Sequence, residues 1–179
     1  TPGLTRGLFY LPTTANDYYT DDGPSPRLAL QLYYNDLEVL EKTISEKGYL
    51  QRLNDLTLWT GLDGLRITHQ VMYARDYSLS KAEEHSETDE PLCSYLVHYP
   101  GKAEDLNAWI NYYLDNHPQI LRTFPGCREM EVYTRIGWRD ALGWEAVNYM
   151  QRNRLIFDNA EVLEAALNSS FRHKSRADF

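Results

Sequence analysis

The chain says one thing twice. Asn35-Asp36-Leu37-Glu38-Val39-Leu40-Glu41 lines up with Asp158-Asn159-Ala160-Glu161-Val162-Leu163-Glu164. Each copy opens with a capping-box spacing, Asn35 to Glu38 and Asp158 to Glu161, in which the first side chain covers free helix N–H groups. Each continues as one apolar helical stripe: Val39, Leu40 and Ile44 in the first, Val162, Leu163 and Leu167 in the second. Each follows a strand-like run, Leu28–Tyr34 or Val147–Phe157. A helix with one apolar stripe must bury it, and the strand beside it offers the surface. Two copies of strand, cap and helix therefore predict a duplicated α+β unit.

Between the copies, Glu83, Glu84, Glu87, Asp89 and Glu90 crowd around His85. The stretch 78–91 reads as a solvated acidic linker, which divides the chain into 1–77, 78–91 and 92–179. The second half reads most clearly. Cys93–Tyr99 alternates as a strand, and Pro100-Gly101 turns it into a helix from Lys102. Pro125-Gly126 turns that helix into a strand over Arg128–Ile136. A loop with Trp138 leads to Val147–Phe157 and the second copy of the repeat, giving β-α-β-β-α. The first half is an abbreviated version: Leu28–Tyr34, a helix from Asp36, and a strand over Leu65–Tyr73.

At 179 residues the chain can bury a full core. Its 18 basic and 26 acidic residues leave a net charge of −8, which repels nucleic acid and anionic membranes, so neither is an expected partner. No run approaches the ~18 apolar residues of a membrane span. Cys93 and Cys127 match no metal or redox spacing, and a cytoplasmic location is expected. The start at Thr1 fits a trimmed or processed chain.

Three histidines sit on apolar patterns. His117 falls on the stripe Leu106, Trp109, Ile110, Tyr113 and Leu114, immediately before Pro118, where the helix should kink or restart. A core histidine bonded to a carbonyl released by the proline is the alternative reading of that position. His69 lies among Leu65, Ile67, Val71 and Tyr73, and His98 shares its side of a strand with Ser94 and Leu96. Between Lys102 and Lys174 every fixed positive charge is an arginine, Arg128, Arg135, Arg152 and Arg154 among them. The guanidinium fork suits carboxylates and phosphates. Pairing with the acidic excess is the competing explanation for each. Arg152 and Arg154 share a strand face, whereas Arg128 and Arg135 point oppositely. No metal-ligand spacing, Gly-rich phosphate loop or nucleophile elbow is present, so the available chemistry is cofactor-independent acid–base work. An imidazole moves the proton, tyrosine donates to a developing enolate, and arginine holds a carboxylate.

Tyr95-Leu96-Val97-His98-Tyr99-Pro100, the helix ending Asn116-His117-Pro118, Phe124-Pro125-Gly126 and Glu131-Val132-Tyr133 resemble the EthD-like branch of the dimeric α/β-barrel superfamily. The match runs from Cys93 to about Ser170. It departs from the family's His-His-x-Pro-like motif at Asn116 and in the placement of Pro118. The resemblance implies two ferredoxin-like units, antiparallel sheets with helices on one face, packed as a dimeric α/β-barrel-type arrangement around a cavity. A homodimer stays open. The activities that the resemblance implies are mixed, from muconolactone-type isomerases to cyclases, decarboxylases and cofactor-free monooxygenases, and fold does not choose among them. The histidines, tyrosines and arginines favour a cofactor-independent isomerase acting on a small anionic unsaturated oxo-acid from aromatic-compound catabolism. A cofactor-free decarboxylase or monooxygenase on a phenolic polyketide, or a non-catalytic ligand-binding barrel, are the alternatives. Candidate bases are His117, His98 and His69. Candidate binding residues are Arg128, Arg135, Arg152, Arg154, Tyr33, Tyr95 and Trp138.

Overall fold

Three helices begin where a short side chain accepts from the first free N–H groups. Asp36 accepts from Val39, Asp105 from Ala108 and Asn159 from Val162, each at 2.9 Å. These caps open α1 (Leu37–Ile44), α2 (Leu106–Leu121) and α3 (Ala160–Leu167). In both copies of the repeat the cap falls one residue later than the capping-box spacing predicts, so the register between copies is kept. The computed structural model describes residues 2–20, 23–62, 64–77 and 91–178.

The helix α2 continues through Pro118 rather than restarting. Proline forfeits its own bond to the preceding turn. The ladder resumes at once, with Arg122 N–H donating to the Pro118 carbonyl at 3.0 Å. A fourth helix, α4 (Ser170–Ala177), follows where no element was expected. Among the described residues no helix is long and apolar enough to cross a membrane.

The strands are β1 (Leu4–Tyr10), β2 (Ala29–Tyr34), β3 (Thr68–His69), β4 (Met72–Tyr77), β5 (Cys93–Tyr99), β6 (Glu129–Arg135), β7 (Glu145–Ala146) and β8 (Gln151–Phe157). The predicted strand Leu65–Tyr73 divides. Its first part, β3, pairs in parallel with β7, and β4 pairs antiparallel with β6. The chain forms two compact units that alternate along it. One comprises Thr1–Leu11, Arg27–Val71 and Ile136–Asn148, the other Pro12–Pro26, Met72–Arg135 and Tyr149–Phe179. These units do not follow the halves 1–77 and 92–179, because strand pairing carries β4 into the second unit. The residues 78–90, expected as a linker, lie outside the described residues.

The first unit holds the antiparallel ribbon β1–β2, the helix α1, two 3₁₀ turns and the short β3–β7 bridge. It makes no four-stranded sheet among the described residues, so the predicted abbreviated ferredoxin-like unit is reduced there to a ribbon and a helix. The second unit holds a four-stranded antiparallel sheet in the order β4-β6-β8-β5. β5-α2-β6 is a split β-α-β unit with β8 inserted between its strands, as the β-α-β-β-α reading requires. The fourth strand comes from β4, N-terminal to that unit, at the edge beside β6.

Alternation gives this sheet two unlike faces. Cys93, Met130, Val132, Leu155 and Phe157 pack with Tyr113, Leu121, Leu163 and Leu167 of the helices as the main core. Full burial of each such apolar side chain contributes roughly 1.5–3 kcal/mol. At the turn before β6, Gly126 has φ +72°, and a Cβ there would lie 2.5 Å from Val162 Cγ1, so glycine is required both for the bend and for α3 to close on it.

Candidate functional site

The opposite face of the same sheet carries charge. Glu129, Glu131, Tyr133 and Arg135 project from β6, Arg152 and Arg154 from β8, and Leu96 and His98 from β5. The register sets them in rows. One row runs Tyr133, Arg152, His98, and the next Glu131, Arg154, Leu96.

In the second row Arg154 Nη1 lies 2.5 Å from Glu131 Oε2, and both side chains are 4% exposed. The Tyr133 hydroxyl donates to the same carboxylate oxygen. Glu129 approaches Arg154 at 3.9 Å. Two charges taken out of water are tolerated only when each is paired and hydrogen-bonded, a condition this trio meets. The trio anchors the middle of the face.

The first row carries the imidazole. The Arg152 guanidinium stands 5.7 Å over the Tyr133 ring. Directly across from Arg152, on the edge strand, is His98, whose ring lies against Tyr149 with centroids 4.5 Å apart. His98 is exposed at that edge. Desolvation of the ring, one face of which lies against Tyr149 while the residue stays open at the edge, is reinforced by the Arg152 charge and lowers its pKa to about 4. The imidazole is therefore neutral at physiological pH and carries a lone pair beside a fixed cation.

The other predicted site residues are distributed as follows. Arg135 closes β6 on the charged face and is exposed. Arg128 precedes the strand and pairs with Asp158, the residue that the capping-box spacing had assigned to a helix start. Tyr33 lies on β2 beneath Arg6, whose guanidinium carbon is 5.4 Å from its ring centroid, and takes a 2.5 Å bond from Gln31 Nε2. Tyr95 points to the helical side, where its hydroxyl donates to Asp17 at 2.9 Å. Asp17 also receives the Arg172 fork at 2.7–3.1 Å. Burial opposes the charge on Asp17, but Arg172 and the other donors outweigh it and hold its pKa below the usual range. This buried pair fastens the 12–26 segment to α4.

His117 also lies on the helical side. It is 3% exposed, packs on Tyr113 with ring centroids 4.7 Å apart, and places Nδ1 2.8 Å from Asp178 Oδ2. Burial lowers its pKa, and Asp178 partly restores it. Its neighbours Tyr113, Tyr99 and Asn153 share bonds of 2.5–3.3 Å, which satisfies the polar groups beneath the helix.

In the first unit, the loop after β6 closes around His69. Trp138 and Trp144 meet its ring edge-on, with centroids 4.9 and 5.4 Å away. The Asp140 carboxylate is 3.1 Å from Nε2, yet neither ring nitrogen has a hydrogen bond in line. Asn54 accepts from the Trp144 indole at 2.5 Å and donates to the Leu142 carbonyl at 3.1 Å, which holds the loop. His69 and Trp138 thus come together, and His98, Arg135, Arg152 and Arg154 come together on the second unit's sheet.

Glu131, Tyr133 and Tyr149 were missed as site residues, as was Asp140. The alternation Glu129, Glu131, Tyr133, Arg135 against Met130, Val132, Thr134 was the available signal for the first two. Nothing in sequence pointed to Tyr149, which precedes its strand. Among the described residues no group of three or more His, Cys, Asp and Glu side chains is gathered closely enough to hold a metal ion.

A crystal structure of an ethyl tert-butyl ether D (EthD) family protein from Bacillus halodurans C-125 is similar to this chain at 23% sequence identity and a TM-score of 0.40, over 49% of this chain and 81% of that one. No protein-family model matches the chain, and no curated protein does.

Proposed function

We propose that the protein is a cofactor-independent isomerase that shifts a proton, and with it a double bond, in a small anionic unsaturated oxo-acid of the kind released by aromatic catabolism. The observation that carries this reading is the cross-strand pair His98 and Arg152: a neutral imidazole directly opposite a guanidinium on an accessible sheet edge. Arg152 holds the substrate carboxylate with charge-assisted bonds. His98 takes a proton from the carbon next to the activated group and returns it further along the conjugated system. Tyr133 supports Arg152 from below and is itself fixed by Glu131. Arg135 widens the cationic rim on the same face.

The proposal extends to architecture. In this reading the charged face pairs with the same face of another copy, in a dimeric α/β-barrel-type arrangement. A cytoplasmic location fits small-molecule catabolism.

A screen of muconate-like acids and lactones by ultraviolet absorbance tests the activity. Turnover that falls about 10²–10⁴-fold in His98→Gln is expected. Turnover of an acid substrate that survives this change refutes the assignment. A second reading has its own observation: Trp138 and Trp144 around His69 favour a planar phenolic molecule and a cofactor-free decarboxylase or monooxygenase. Under that reading His69→Gln, not His98→Gln, removes activity.

A further inference from the structure

We propose that Arg75 anchors a separate binding site, on the helical side of the sheet at its β4 edge, that takes a small planar carboxylate. The inference stands apart from the isomerase reading, because it uses the opposite face of the sheet and none of that reading's residues.

Alternation puts Tyr73, Arg75 and Tyr77 on one face of β4. Tyr73 lies across from Thr134, Arg75 from Val132 and Tyr77 from Met130, and Val132 and Met130 belong to the core beneath the helices. β4 is the edge strand beside β6, so no further strand of the described sheet lies beyond it. Tyr77 packs against that core, Arg75 is half-buried and Tyr73 is 55% exposed. This face of β4 therefore runs from the interior to solvent, with the guanidinium between its two tyrosines.

Arg75 is held in place but not neutralised. Its Nη1 donates to Thr134 Oγ1 at 2.5 Å, and its guanidinium carbon stands 4.7 Å from the Tyr73 ring centroid. Thr134 is 5% exposed and sits in the β6–β8 ladder, so the acceptor that aims the guanidinium is rigid. With 26 acidic residues in the chain, other arginines find carboxylates: Arg66 pairs with Glu145, Arg128 with Asp158, Arg154 with Glu131 and Arg172 with Asp17. Arg75 pairs with none among the described residues. Asp76 beside it points to the opposite face, and the exposed Asp115 of α2 acts on Tyr77 without an ion pair to Arg75.

The ligand's chemistry follows from what is fixed there. One of the five guanidinium N–H donors is committed to Thr134, which leaves an edge of the fork for a planar oxyanion. Arg75 is the cation that acts on Tyr77, and the other polar groups on this face of β4 are tyrosine hydroxyls. One positive charge matches a carboxylate, whereas a phosphate dianion calls for a second cation. The exposed Tyr73 ring beside the guanidinium gives an unsaturated or aromatic frame a flat surface on which to stack. Because Arg75 is already oriented, little side-chain freedom is lost when the acid binds.

The test is a titration with benzoate, followed through the Arg75 Nε–H signal in a proton–nitrogen correlation spectrum and assigned by its loss in Arg75→Met. The expected result is a saturable displacement of that signal. Calorimetry should show one binding event fewer in Arg75→Met, as its affinity falls about tenfold or more. Thr134→Val keeps the side chain's shape but removes the acceptor that aims Arg75, and should weaken benzoate about threefold or more. Tyr73→Ala should do the same by removing the stacking surface. Arg66→Met, which removes an exposed and paired arginine, should leave both readouts unchanged. A benzoate isotherm identical in Arg75→Met overturns the site, as does the absence of benzoate binding to the wild-type protein. So does an Arg75 signal that drifts in proportion to benzoate without saturating. Acetate that binds as tightly as benzoate overturns the planar assignment.

Discussion

His98 and His117 lie on opposite sides of the same sheet, and both are pushed toward the neutral form mainly by burial. Their neighbours differ in sign. Arg152 deepens the effect at His98, and Asp178 opposes it at His117. His117 is enclosed between α2 and the end of α4, with one nitrogen committed to a carboxylate. His98 stands at an exposed strand edge next to a cation. The comparison teaches that two histidines neutralised by desolvation on one sheet still differ in the sign of the nearest charge and in access from outside, and these two differences are what the proposed base at His98 rests on.

The sharpest way to break the comparison is to make the same change at both positions. His98→Gln should lower turnover of an acid substrate about 10²–10⁴-fold, whereas His117→Gln should leave kcat within a few-fold. A large kcat loss in a folded His117→Gln protein would reverse the two roles.

The anchor beneath the first row is next in size. Arg154→Met removes the guanidinium that pairs with the buried Glu131 carboxylate and should cost about 3–5 kcal/mol of stability by urea denaturation. Arg154→Met combined with Glu131→Leu should recover much of that loss. If Arg154→Met alone is neutral, the trio does not hold the face together.

On the helical side, His117→Gln or Asp178→Asn should each cost about 1–3 kcal/mol, read as a lowered Tm, because each leaves a poorly matched polar partner. Neither should disturb the titration of His98.

Acid separates the histidines again. Both have folded-state pKa values below 6.5, so the unfolded chain binds protons first as pH falls. Their contribution to stability declines below about 6.5, and for His98 it levels off below about 4. His98→Gln should remove that part of the acid-side slope in a series of denaturation curves. An unchanged slope between pH 6.5 and 4 would show that His98 is not depressed.

The smallest effect concerns the repeat. Asp36→Ala and Asn159→Ala should each destabilise by about 1 kcal/mol, and Asn35→Ala by much less, since the structure places the caps at the later residue.

Much of the second unit was legible because its signals are local. Cys93–Tyr99 has the ends that its alternation predicts, and the Pro-Gly turn before β6 follows from a backbone requirement. The shared face of Arg152 and Arg154 is a property of any strand. The repeat located both helices and missed each cap by one residue, because adjacent Asn and Asp side chains compete for the same role and only the chain's path into the helix selects between them.

Partners far along the chain were not legible. The sequence alone determined β5 and β6, the helices α1 to α3, the shared face of Arg152 and Arg154 and the three histidines on apolar patterns. Tertiary structure decided that β4 joins β6, that Arg128 spends its charge on Asp158, and that His117 meets Asp178 at the far end of the chain. It also set Arg152 opposite His98. Periodicity fixes which way a side chain points within its own element. Strand register and helix docking, which depend on packing summed over the whole unit, fix what it meets there.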